Sequence, residues 1–133
     1  MTKLLLFDFF NVIFLSQPSK GIVNQELLKK IDELRNKYKT GILSNSSFML
    51  RTPFIKSILE KNFDYIFSAQ DLNLSKTDPQ TYKVIAEKTK IKASEIIFVD
   101  DQIKNINAAL AAGCKTILFE NNQQIFSDIS KLI

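Results

Sequence analysis

The chain of 133 residues contains no histidine. That removes the commonest acid–base side chain at neutral pH and the commonest metal ligand. Cysteine is nearly absent too: Cys114 stands alone, which excludes an internal disulfide and a cysteine cluster for zinc. No apolar run approaches the roughly 18–20 residues that a membrane span requires, so no membrane partner is expected. The opening MTKLLLFDFF is too short an apolar run for a signal peptide and is interrupted by Asp8; a cytoplasmic protein is expected. No internal repeat, low-complexity tract or linker breaks the chain. Any catalysis must therefore run on carboxylates, lysines, hydroxyls or a bound hard cation.

What is present is ordinary for a soluble globular protein, with 45% apolar and 24% charged residues. The length fits one domain over residues 1–133. The net charge of +4 is small, and the lysines run in company with Glu and Asp. That describes a solvated surface rather than a basic stripe, so no nucleic-acid partner is expected.

Short apolar runs alternate with amphipathic stretches. Lys3 to Phe9 reads as a strand buried on both faces. An irregular stretch with Pro18 and Gly21 follows, a hairpin or flap over about 10–23. Asn24 caps a helix with Leu27, Leu28, Ile31, Leu34 and Tyr38 on one face. Thr40 to Leu43 is a second strand, ending in Ser44-Asn45-Ser46-Ser47. Thr52-Pro53 opens a helix with the hydroxyl as cap and Phe54, Ile55, Ile58 and Leu59 as its apolar face. Phe63 to Phe67 is a third strand, and Asp78-Pro79 starts a helix through Tyr82, Ile85 and Ala86. Ile96 to Val99 is a fourth strand with Asp100-Asp101 at its end. A helix carrying Ile103, Ile106, Ala109 and Leu110 stops at Gly113. Thr116 to Phe119 is a fifth strand, and a last helix carries Ile125, Phe126, Ile129 and Leu132. Strict alternation predicts an α/β fold, a doubly wound, Rossmann-like parallel five-stranded sheet with helices on both faces. Ligands in such sheets bind beyond the carboxyl ends of the strands. Asp8, Ser44-Asn45 and Asp100-Asp101 all fall at such ends.

Four segments stand in a telling order: LLLFDFFNVIF, GILSNSS, SKTDPQTY and IIFVDD. An apolar strand ending in Asp, one ending in Ser-Asn, a lysine ahead of a helix and a strand ending in two aspartates resemble the motifs of the haloacid dehalogenase-like (HAD) superfamily. The tail DDQIKNINAALAAGCKTILFE resembles the segment that closes its sheet, so the likeness covers nearly the whole chain. It implies a strand order of 5-4-1-2-3 and a phosphatase or phosphotransferase acting through an aspartyl-phosphate. It also implies Asp8 as nucleophile, Ser44, Asn45 and Lys76 as phosphate-binding residues with Lys76 assisting catalysis, and a phosphorylated substrate. Magnesium would be held by Asp8, the backbone carbonyl of Phe10, Asp100 and Asp101. The chemistry suits the residue types. A carboxylate can attack phosphorus in line and split one hard step into two. Two anions repel, so a cation must bridge them, and an oxygen-rich site suits magnesium. Lys76 adds a point charge. Asn105 would tie down the loop after Asp101, and Phe7, Phe9, Phe10, Phe14, Tyr82 and Phe98 read as core.

Two departures qualify the likeness. Most phosphatases of this superfamily carry a second aspartate two residues after the nucleophile, on the same side of the strand. Here Phe10 stands there. Phenylalanine moves no proton, and losing general acid–base help costs about 10²–10⁴ in rate. Two alternatives follow: a catalytically impaired binding or interaction domain, and a dehalogenase-type hydrolase, which also carries an aromatic there but does without metal. The second departure is size. Only 35 residues separate Asp8 from Ser44, and 31 separate Ser44 from Lys76. Neither gap holds a cap domain, so a minimal, capless form is expected, open to a bulky or macromolecular substrate. Exposure of Ile13, Phe14 and Leu15 would indicate an oligomer.

Overall fold

The computed structural model describes residues 1–16 and 21–133. The strands are β1 (Leu4–Asp8), β2 (Phe14–Ser16), β3 (Gly21–Val23), β4 (Lys39–Ser44), β5 (Tyr65–Ser68), β6 (Ile96–Asp100) and β7 (Lys115–Leu118). The helices are α1 (Gln25–Leu34), α2 (Phe48–Arg51), α3 (Pro53–Asn62), α4 (Pro79–Thr89), α5 (Ile103–Ala111) and α6 (Asn122–Leu132), with a 3-10 turn at Ala93–Glu95.

Five strands form one parallel sheet in the order β7-β6-β1-β4-β5, and β2 pairs antiparallel with β3 beside it. The expected order of 5-4-1-2-3 counted only the five long apolar strands. The flap contributes two strands of its own, so the labels change while the spatial sequence of those five stays the same.

Side-chain alternation explains why every residue of β1 is buried. Leu5 and Phe7 point into one core with Ile42, Ile97, Val99 and Ile117, sealed by Leu27 and Ile31 of α1, Ile55 and Leu59 of α3, and Ile125 and Ile129 of α6. Leu4 and Leu6 point the other way, to Leu43, Ile96 and Phe98, under Tyr82 and Ile85 of α4 and Ile106 and Ala109 of α5. Each such side chain contributes about 1.5–3 kcal/mol by leaving water. Two apolar faces need two helical layers, which is the expected doubly wound arrangement.

Several local expectations need correction. Tyr38 lies beyond α1 and packs on the first core from the following turn. Phe54, at 72% exposure, is not on the buried face of α3, and Ile103 and Leu110 of α5 are also exposed. Thr52 precedes α3, but its hydroxyl donates to the Phe48 carbonyl instead of capping the helix, because the short α2 puts that carbonyl within reach. By contrast, Asn24 and Asp78 accept from Leu27 N–H and Gln80 N–H as helix caps should. Gly113, at φ +100°, ends α5 in a conformation that side chains resist.

In the flap, Pro18 lies outside the described residues. Before it, the amides of Val12, Ile13 and Phe14 converge on the Phe9 carbonyl at 3.4, 3.0 and 2.8 Å. Asn11 supplies the left-handed residue of this turn, at φ +65°. Ile13 is buried, and Phe14 and Leu15 are half-buried, so the exposed apolar face that would indicate an oligomer is not found. No helix among the described residues is long and apolar enough to cross a membrane.

Candidate active site

The chain runs from β1 to β4 on one side of the sheet, then returns to place β6 on the other side of β1. Such a reversal opens a crevice beyond the carboxyl ends of the strands. Asp8, Ser44 and Asp100 are the last residues of β1, β4 and β6. A cleft of about 180 Å³ lies there, lined by Asp8, Phe10, Asn11, Ser44, Asn45, Ser46, Lys76, Asp101, Gln102 and Asn105. The site residues expected from sequence thus meet in one place. Asp100 stands just behind the lining.

Lys76 organises the interior. Its ammonium donates to Asp8 Oδ1 and, at 2.7 Å, to Asp100 Oδ2, with Lys76 only 3% exposed. Its backbone is clamped from both sides. Lys76 N–H donates to Asn45 Oδ1 at 2.9 Å, and the Lys76 carbonyl accepts from the Tyr82 hydroxyl at 2.6 Å. Asn45 therefore holds the lysine in place with its side chain, a role its sequence position does not reveal. Tyr82, expected only as core, is the other clamp. Its hydroxyl had no sequence signal beyond the need of any buried phenol for a partner.

The carboxylates are held as firmly. Asp8 Oδ1 also accepts from Phe9 N–H at 2.8 Å. Asp100 is fully buried. Its Oδ1 accepts from Gln102 N–H at 2.8 Å, and its Oδ2 accepts from Asn105 Nδ2 at 3.2 Å. Asn105 thus ties the loop after β6, as expected. Ser44 is buried at the cleft wall, with its Oγ accepting weakly from Ser46 N–H at 3.4 Å.

Asp8, Asp100 and Asp101 each bring one carboxylate oxygen within 4.8 Å of the others. Burial pushes Asp8 up to about 7, with the Lys76 ammonium pulling it down and Asp100 adding to the rise. Burial likewise raises Asp100, against the pull of Lys76. One ammonium among three carboxylates leaves an excess of two negative charges when all are ionised. Asp8 and Asp100 are buried, so among the described residues a hard divalent cation is the natural offset, and oxygen ligands at this spacing suit one. Cys114 offers no alternative nucleophile: it is buried, and burial pushes its thiol up to about 11.

A family model described as haloacid dehalogenase-like hydrolase matches residues 4–119. A Mycobacterium tuberculosis phosphatase is 28% identical over 109 residues, covering 77% of this chain and 50% of that protein. Phosphoglycolate phosphatase from Escherichia coli is 32% identical over 82 residues, covering 58% of this chain and 31% of that protein. The chain spans half or less of the length of these curated relatives. Among solved structures, a HAD family enzyme from Bacteroides thetaiotaomicron in complex with magnesium and inorganic phosphate superposes with a TM-score of 0.81. It is 17% identical, and the match covers 95% of this chain and 100% of that one.

Proposed function

The chain belongs to the haloacid dehalogenase-like hydrolase family, and we propose that it is a magnesium-dependent phosphohydrolase or phosphotransferase in which Asp8 carries the phosphoryl group. The observation that bears most weight is the Lys76 ammonium bridging Asp8 and Asp100 at the carboxyl ends of adjacent strands, beside Asp101 and Ser44. A lone buried Asp could be a turn residue. A buried Asp pinned by a buried lysine within an unneutralised acidic cluster is a costly arrangement that a binding site explains.

The donor set fits magnesium: hard carboxylate oxygens, an excess charge of two and an open side toward the cleft. Asp8, Asp100, Asp101 and the Phe10 carbonyl would hold the ion. When bound, magnesium supplies the charge that lets a phosphate approach a carboxylate and steadies the phosphoryl oxygens. The side chains do the rest. Lys76, fixed by Asn45 and Tyr82, favours the ionised form of Asp8 against its burial, aims it, and presents positive charge to the phosphoryl group. The Ser44 hydroxyl donates to a phosphoryl oxygen, with the amides after Asn45 completing the cradle. Asp8 attacks phosphorus, forming an acyl-phosphate as the bond to the leaving oxygen breaks. Water then releases phosphate and restores the carboxylate.

The substrate is a phosphorylated molecule whose remainder stays outside this small, uncapped cleft, so bulky or macromolecular substrates are admitted. Phe10 favours a second reading, a binding domain that no longer turns over. One experiment decides between them: hydrolysis of an aryl phosphate with magnesium by the wild type and by Asp8→Asn. We expect the variant to lose at least 10³-fold in kcat, as removal of a nucleophile does to within about an order of magnitude. Equal rates in both proteins would sink the phosphohydrolase reading. A dehalogenase would instead act on a haloacid without added metal.

A further inference from the structure

We infer that the leaving group of the natural substrate is an aryl oxide, its ring seated against an aromatic wall made by Phe10 and Phe48. This rests on the phosphohydrolase reading and names its substrate class.

The first argument is the missing proton. The titratable side chains lining the cleft are Asp8, Lys76 and Asp101. Asp8 is the nucleophile, Lys76 is committed to two carboxylates, and Asp101 belongs to the acidic cluster. Ser44, Ser46, Asn11, Asn45, Gln102 and Asn105 transfer no proton near neutrality. With no donor among the described lining residues, the leaving oxygen departs as an anion. An alkoxide is a poor candidate, because its conjugate acid is nearly as weak an acid as water. The conjugate acid of a phenolate has a pKa of about 10, as tyrosine does, so the phenolate leaves without help.

The second argument is the surface beside the cleft. Phe10 lines it directly. Its ring packs on Phe9 at 4.9 Å, Phe48 at 5.8 Å and Phe14 at 6.0 Å between centroids. Phe9 is buried and floors the cluster, while Phe10, Phe14 and Phe48 are only half-buried. The wall is built from the two segments that carry the chemistry. Phe10 follows Asp8 by two residues, and Phe48 follows Ser44 by four. Phe48 N–H donates to Ser46 Oγ at 3.0 Å, and Ser46 lines the cleft. Phe10 thus shares the cleft with Asp8 and Ser44, and Phe48 extends its apolar surface by packing on it. Aromatic rings meet such surface edge-on or offset-stacked with a preference beyond area alone. Both features favour a phenol ester: one because it needs no proton, the other because it is an aromatic ring.

The reaction balances without a donor. The Asp8 oxygen forms a bond to phosphorus, the bond from phosphorus to the aryl oxygen breaks, and the electron pair leaves on the phenolate, which takes its proton from bulk water. Water then bonds to phosphorus, the bond to Asp8 breaks with its electrons returning to the carboxylate, and the water proton ends on phosphate.

Three substrates separate the two arguments: phenyl phosphate, benzyl phosphate and acetyl phosphate, each assayed with magnesium in wild type, Asp8→Asn and Phe48→Ala. Acetyl phosphate has a good leaving group and no ring; benzyl phosphate has a ring and a poor leaving group. We expect kcat/KM for phenyl phosphate to exceed that for benzyl phosphate, and the ratio of phenyl to acetyl phosphate to fall about five- to tenfold in Phe48→Ala. Phe48→Leu, which keeps apolar volume, should show a smaller fall and serves if the alanine variant does not fold. Asp8-dependent turnover with an unchanged phenyl-to-acetyl ratio in both Phe48 variants overturns the aryl inference alone. Benzyl phosphate equal to phenyl phosphate overturns the missing-donor half of it. Absence of Asp8-dependent turnover of all three overturns the phosphohydrolase reading itself.

Discussion

In the phosphohydrolase proposed here, the described residues around Asp8 include no evident proton donor for a leaving group. Residue 10, where most phosphatases of the superfamily carry the second aspartate, lines the same cleft and is a phenylalanine. Phe10→Asp should therefore raise kcat on an alkyl phosphate by roughly 10–10²-fold, the lower part of the range for general acid–base help. It should also lower the preference for aryl esters, since the same change removes a ring from the wall. Circular dichroism confirms folding, and an unchanged rate in a folded variant would mean that the proton is handled elsewhere. Phe10 illustrates how the site was legible. Strand alternation predicted that residues 8 and 10 share a side, and both line the cleft. Asp8, Ser44 and Asp100-Asp101 were legible as polar residues at the ends of apolar strands, whereas Lys76 stood out only through the resemblance to the superfamily's motifs. Asn45 was legible in place but not in role. Its side chain anchors Lys76 from 31 positions away, and no local pattern encodes so distant a partner.

At the scale of elements, helix starts carry a sharp contrast. Asp78 and Thr52 look alike in sequence, each preceding a proline at the first helical position. Only Asp78 caps, accepting from Gln80 N–H at 2.9 Å, whereas the Thr52 hydroxyl turns back to Phe48. Asp78→Ala should cost about 1 kcal/mol in urea unfolding. Thr52→Ala should cost less than half as much, since it loses only a long bond to a helix-terminal carbonyl. Equal losses would mean that both hydroxyl and carboxylate contribute through something other than capping. The difference was invisible beforehand because it depends on α2, four residues too short to register as a periodic pattern. The exposure of Phe54, Ile103 and Leu110 escaped for a related reason. A helical stripe gives the centre of the buried face well, but residues at its border turn in or out according to tertiary packing.

For the whole molecule, the buried acidic cluster links folding to protons and to metal. Asp8 is raised from 3.8 to about 7, so without a divalent cation the folded state holds a proton that the unfolded chain has released. Between those values the folded state binds more protons, and stability must fall as pH rises. One such proton gives a slope approaching 1.4 kcal/mol per pH unit at most. In EDTA, Tm should therefore decline from pH 5 to pH 7.5 once other carboxylates have titrated. Magnesium needs the ionised cluster and competes with that proton, so its stabilising effect should grow over the same interval. Asp101 lines the cleft and is only partly buried, so Asp101→Ala can remove a metal oxygen while sparing the Lys76 bridge. That variant should keep the downward slope in EDTA yet lose most of the magnesium-induced rise in Tm at pH 7.5. A rise as large as in the wild type would place the ion elsewhere and leave Lys76 as the only cation offsetting the cluster.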